Sequence, residues 1–221
     1  MVLAATSAAV ALLCAGQAAA QDRWTGWGAD VFVGNSTEAS SSDDGYFTDI
    51  EPTGSVYGLG ASYRFPLGHL VVGVEASATM GSIKDSDTLV TCTVRDCGYN
   101  EQVTYTVNSS YSGRFGVSVG HEFGPVLVSA LAGIEVRDRG IYTEVESDDP
   151  DSEDYFYDQT WIAAGPYFGV RAEYALTDRI SIGGEWTRSD VVQSTIEFDG
   201  DESYEDSAEF NQARISLRLR F

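Results

Sequence analysis

The chain has 221 residues and a formal net charge of −21, from 34 Asp and Glu against 13 Lys and Arg. That length suits one domain of the barrel or sandwich type, or at most two small ones, and the charge excludes nucleic acid, whose binding needs a surplus of Lys and Arg. With 43 % hydrophobic and 12 % aromatic residues the chain is not disordered throughout, and 23 Gly beside 2 His point to β-structure without a His-rich metal site.

Val2 to Ala15 is an almost unbroken apolar run, and Ala18-Ala19-Ala20 before Gln21 is a small-residue cleavage site. Residues 1–20 therefore read as a secretory signal peptide, with the mature domain at 21–221. Met1-Val2-Leu3 carries none of the usual basic residues, which points to a start placed too far downstream. Leu13 before Cys14 is too large for lipoprotein processing.

Beyond the signal no run of 18 apolar residues exists, so no transmembrane helix is predicted. Alternation takes its place. Gly26–Asn35 carries Trp27, Ala29, Val31 and Val33 on one face, and Gly54–Phe65 sets Tyr57, Leu59, Ala61, Tyr63 and Phe65 against Gly58, Gly60, Ser62 and Arg64. The same pattern recurs over 69–81, over 104–119 with Tyr105, Val107, Tyr111 and Phe115 on the apolar face, and over 125–137, 161–176 and 180–189. It ends in Asn211–Phe221, with Ala213, Ile215, Leu217, Leu219 and Phe221 opposite Arg214, Ser216, Arg218 and Arg220. Successive strand residues point to opposite faces, so these are eight strands with one apolar and one polar face each.

The connections alternate in length. Pro66-Leu67-Gly68, Gly120 to Gly124 and Thr177-Asp178-Arg179 are short turns, while the other connections run to roughly twenty residues each, as expected for extracellular loops above short periplasmic turns. The predicted fold is all-β: an eight-stranded antiparallel up-and-down transmembrane β-barrel in the outer membrane of a Gram-negative bacterium. The four long segments 35–53, 82–103, 138–160 and 190–210 hold 26 acidic and three basic residues, so the acidity belongs to the loops. Asp148 to Asp154 and Asp199 to Glu202 supply hard oxygens for a calcium ion, without the spacing of a twelve-residue EF-hand loop.

The polar faces place Asp30, Glu75, Glu135, Glu173 and Glu185 in the lumen with Arg64, Arg114, Arg137, Arg171, Arg214, Arg218 and Arg220. Charges held away from bulk water need partners, so a lumen of ion pairs is expected. Eight strands enclose a space that side chains just fill, which gives a structural plug, or alternatively a narrow ion path between the pairs. A lipocalin-like secreted carrier is a further alternative, with the apolar faces turned inward.

Glu173 to Arg179 leading into Gly184-Glu185-Trp186, the Gly113-Arg114-Phe115-Gly116 segment and the terminal Leu217-Arg218-Leu219-Arg220-Phe221 resemble the outer-membrane β-barrel domain family of proteobacteria, the porin-like and Opacity-type surface proteins. The resemblance implies a surface antigen, adhesin or membrane-stabilising protein with no catalytic residues and no cofactor. It also implies that Phe221 belongs to a signal read by the barrel-assembly machinery, and, since the chain ends at the barrel, that it lacks a peptidoglycan-binding domain. Expected partners are outer-membrane lipid, the assembly machinery, and divalent cations or surface ligands at the loops, with the barrel a monomer.

Cys92 and Cys97, with four residues between them in an exported loop, are expected to form a disulfide. Free thiols are the alternative, and zinc is disfavoured because no further ligand lies near in sequence. A lipid-modifying enzyme or protease would need a base at the outer rim, whereas His69 and His121 fall at the periplasmic turns.

Overall fold

The computed structural model describes residues 23–42, 51–92, 100–147, 155–192, 196–197, 203–204 and 206–221. The signal peptide, Cys97 and the acidic runs 148–154 and 199–202 lie outside the described residues, as does the side chain of Cys92.

Among the described residues ten strands run in order: β1 (Gly26–Ser42), β2 (Thr53–Leu67), β3 (Leu70–Cys92), β4 (Asn100–Phe123), β5 (Val126–Ser147), β6 (Tyr155–Ala175), β7 (Ile180–Val192), β8 (Ile196–Glu197), β9 (Ser203–Tyr204) and β10 (Asp206–Arg220). Eight of them close into the ring β1-β10-β7-β6-β5-β4-β3-β2, each antiparallel to its neighbours, while β8 and β9 pair only with each other. Hydrocarbon offers backbone groups no partner, so a closed ring without edges satisfies every spanning strand.

The alternation sorts as membrane immersion demands. Val31, Val33, Leu59, Phe115, Ile134, Val170, Ile215 and Leu217 point outward and are exposed, while Asp30, Ser62, Arg64, Ser118, Glu135 and Arg218 point inward and are buried. The lipocalin alternative needs the opposite arrangement and is excluded. Aromatic side chains flank the belt, with Trp27 against Tyr63 (centroids 5.1 Å apart) near the periplasmic end and Phe168 against Trp186 higher on the wall.

Strands β2–β3 and β4–β5 are joined by only two residues each, Gly68-His69 and Gly124-Pro125, with Gly68 and Gly124 at φ of 64° and 63°. Positive φ at the first turn position matches the right-handed strand twist and favours glycine. Gly120 to Phe123, expected in a turn, continue β4. The β6–β7 turn is closed by Thr177, whose hydroxyl oxygen accepts from the N–H groups of Arg179 and Ile180.

The long connections are mostly strand. Crossing a bilayer takes about 9–11 residues, yet β4 has 24 and β5 has 22. Pairing of β2 with β3 ends at Thr53 and Lys84, and pairing of β6 with β7 ends at Ala164 and Val192. Above those points β3, β4, β5 and β6 continue together to Cys92–Asn100, Glu101–Ser147 and Val145–Tyr155. They form a four-stranded wall standing over one side of the barrel mouth.

β3 carries its own irregularity between Met80 and Ile83 in the pairing with β4, and a bulge in β4 between Asn108 and Ser112 shifts its register with β5. Its spare N–H groups, from Ser110 and Tyr111, both donate to Asp138 Oδ1, at 2.9 and 2.6 Å. The bulge exchanges faces: Val107, expected on the lipid side with Tyr111, is buried in the interior.

Candidate functional site: the barrel lumen

The lumen is lined by the inward face of every ring strand, and its charges form layers. Near the periplasmic end Arg64 of β2 meets Glu173 of β6 at 2.5 Å, directly across the ring. Glu173 also faces Arg218 at 3.5 Å, and Arg218 pairs with Asp30 at 2.9 Å. One step higher, Arg171 grips both oxygens of Glu75 at 2.8 and 3.0 Å and donates through Nε to Glu185 at 2.7 Å. Glu185 also accepts from Arg214, at 2.7 Å. Next, Glu135 accepts Arg114 Nε at 3.0 Å and Arg137 Nε at 3.1 Å, while Arg114 Nη1 donates to Thr187. Uppermost, Arg139 Nη2 lies 2.7 Å from Glu38 Oε1.

Eleven of the twelve charged residues expected in the lumen thus lie in ion pairs. The twelfth, Arg220, donates to the carbonyls of Thr177 and Asp178 and to Ser181 Oγ, tying the last strand to a periplasmic turn. Bidentate guanidinium geometry suits such a crowded interior, and every buried cation among the described residues is Arg. Phe221, at the end of β10, is half-buried and donates its N–H to the Trp27 carbonyl.

Sequence reasoning put Glu38 and Arg139 in loops, and both are buried lumen residues. The clue was the inward series Asp30, Phe32, Gly34, Ser36, Glu38, which keeps its period of two after the outward face turns polar at Asn35. It also missed the aromatic rings that complete the filling. Arg214 stacks over Phe32 at 4.2 Å, Arg137 over Phe210 at 4.1 Å and Arg114 over Tyr167 at 5.3 Å.

Both ends are capped by apolar side chains. Trp24, just before β1, packs with Val71, Leu127 and Ala175 at the periplasmic mouth, its ring under Arg220. Phe210 packs with Ala163, Val191 and Ala208, against Trp161, toward the exterior. Between them a cavity of about 10 Å³, lined among others by Asp30, Glu75, Arg171 and Arg214, has room for roughly one water. Chemically the site is a cross-linked filling whose carboxylates are committed to guanidinium groups.

No curated protein matches the sequence. Among solved structures, the attachment invasion locus protein Ail of Yersinia pestis is similar at 10 % identity, with 88 % of this chain and 99 % of that one covered and a TM-score of 0.39. OprG of Pseudomonas aeruginosa gives 9 % identity, coverage of 89 % and 98 %, and a TM-score of 0.45. The outer membrane protease OmpT of Escherichia coli gives 8 %, 88 % and 96 %, and 0.41. Residues 6–221 match the outer membrane protein beta-barrel domain, and with its ring of eight lipid-facing strands the chain belongs to that family of Gram-negative outer-membrane proteins.

Proposed function

We propose that the protein is a non-enzymatic envelope barrel with a sealed lumen, serving a structural or adhesion-type role at the cell surface. The observation that carries this is the continuous filling from Trp24 through the Arg–Glu layers to Phe210. An ion would have to break several desolvated pairs in series, and removing one partner from such a pair costs about 3–5 kcal/mol. Planar-bilayer recording of the refolded protein is expected to give no current steps above bare lipid. A steady single-channel conductance would reject the sealed reading in favour of a narrow ion-conducting channel.

The absence of enzymatic activity is part of this proposal. His69 lies in the first periplasmic turn, and His121 is exposed on the outer face beside Phe123, centroids 4.7 Å apart. Both are remote from the extracellular rim where lipid-modifying or proteolytic chemistry would take place. We further propose that Phe221 serves recognition by the assembly machinery, that Cys92 and Cys97 form a disulfide, and that the barrel is a monomer. The acidic connecting segments are proposed to attract divalent cations or cationic surface ligands. Limited proteolysis at matched ionic strength should be slower with calcium than with sodium alone, and equal rates would leave only general screening.

A further inference from the structure

Above the membrane, the outward side of the β5–β6 ladder brings two rings and two carboxylates into one square. Tyr142 of β5 pairs in register with Asp158 of β6, and Glu144, two residues higher, pairs with Phe156. The rings therefore occupy one diagonal, stacked with centroids 6.4 Å apart and 25° between planes, and the carboxylates occupy the other. Phe156 is 73 % exposed, Glu144 and Asp158 are exposed, and exposed Glu146 continues the row upward on β5. Tyr142 lies six residues above Val136, where the apolar belt on β5 ends. At a rise near 3.4 Å per residue and the usual strand tilt, the square stands about 15–20 Å clear of the hydrocarbon on the extracellular side.

Nothing among the described residues balances its charge. Glu144, Glu146 and Asp158 enter no ion pair there, and the one described cation on this side of the wall, Lys84, stands a row lower and on the far side of β4. Glu144 and Glu146 are two apart on one face, and Glu144 and Asp158 are diagonal neighbours about 7–8 Å apart, so like charges crowd together. A cation over the square relieves that repulsion and covers the exposed rings at the same time. We propose that this square docks an arginine side chain of a basic extracellular polypeptide.

The chemistry fits that occupant. A guanidinium is planar and weakly hydrated, so its face stacks on a ring while its N–H edge meets a carboxylate. Rings on one diagonal and carboxylates on the other offer both surfaces within reach of one such group. A lysine ammonium, compact and strongly hydrated, pairs with the carboxylates but does not stack. A chelated metal ion would use the carboxylates alone and leave the rings exposed, and an anion is repelled. The net charge of −21 draws basic segments toward the protein before contact. Docking at the square is separate from the sealing of the lumen and from the cation attraction of the connecting segments, which does not tell Arg from Lys.

The test uses the full barrel in uncharged detergent micelles and two peptides of equal length and charge, one of alternating Arg and Gly, the other of alternating Lys and Gly. Hydroxyl-radical oxidation of Tyr142 and Phe156, read by mass spectrometry, is expected to fall with the arginine peptide and to change little with the lysine peptide at equal occupancy. Y142S/F156S should weaken binding of the arginine peptide about 3- to 10-fold, the range expected for exposed cation–π contacts, and that of the lysine peptide less than about twofold. E144Q/D158N should weaken both. Binding of both peptides with the rings unprotected overturns the proposal and assigns the cations to the connecting segments, and equal loss of both peptides in Y142S/F156S overturns the selectivity for arginine. Ring protection without peptide that R95A removes assigns the square to the chain's own arginine, and protection that rises with barrel concentration assigns it to a second copy; either result overturns the proposal. If a variant fails to fold, oxidation of the wild-type rings with the two peptides decides.

Discussion

Glu38 of β1 and Arg139 of β5 meet across the full width of the lumen, Nη2 to Oε1 at 2.7 Å, joining strands that stand opposite each other in the ring. Both side chains are buried. Removing one partner strands the other away from water, so Glu38→Ala should destabilise the barrel by about 3–5 kcal/mol. The double variant E38A/R139A should be less destabilised than the sum of the single changes, by a coupling of roughly 0.5–3 kcal/mol. Urea unfolding in micelles measures all four proteins. Purely additive effects would mean that the two groups act independently.

The outward face predicts a depth profile. Leu217 sits within the apolar belt, and an arginine there should cost roughly 2–4 kcal/mol of folding stability in bilayers if it lies near the midplane. Asn35 points outward at the level of Ala213, where the belt gives way to polar side chains, so Asn35→Arg should cost about 0–1 kcal/mol. Equal penalties at the two sites would contradict the placement of the membrane.

Phe32 occupies space that Gly58 leaves open. A Cβ at Gly58 would stand 2.4 Å from Phe32 Cζ and 2.1 Å from the Ala78 carbonyl oxygen, whereas one at Gly184 would meet nothing within 4 Å. Gly58→Ala should therefore destabilise by about 1–3 kcal/mol through overpacking, while Gly184→Ala should stay within about 0.5 kcal/mol of wild type. Heat-modifiable migration on gels ranks the two, and a reversed order would refute the close approach.

The β4 bulge depends on one carboxylate. Asp138→Ala leaves the Ser110 and Tyr111 N–H groups without their acceptor and should cost about 1–3 kcal/mol. Amide exchange of these two residues should accelerate well beyond that of neighbouring strand positions. Unchanged exchange would show that the bulge is held by other contacts.

The membrane-facing half of the fold was legible because lipid forces an apolar residue at every second position. Val31 and Ile215 could be assigned to the outside with no knowledge of their neighbours. Once strands leave the bilayer that constraint ends, so the upper halves of β3 to β6 resemble loops in sequence although their ladders continue. Glu38 and Arg139 were lost for that reason. Val107 was lost for another: a single extra residue in a strand inverts every later face, and nothing in the 104–119 pattern marks where it sits. Which Arg meets which Glu depends on ring closure and shear, as with Arg64 and Glu173, 109 positions apart.

The seam between β1 and β10 joins the two ends of the chain through 15 residue pairs, and Arg218 reaches Asp30 over 188 positions of sequence. Closing the longest loop carries the largest entropy cost and comes after local hairpins have formed. Until that moment the interior is an open trough whose carboxylates and guanidinium groups are hydrated. Dehydration of the interior is therefore coupled to the final zipping of β1 onto β10, and a seven-stranded sheet lacking β10 would keep Asp30 and Glu185 without their Arg218 and Arg214 partners. The ionic filling thereby acts as a latch that rewards only a complete ring.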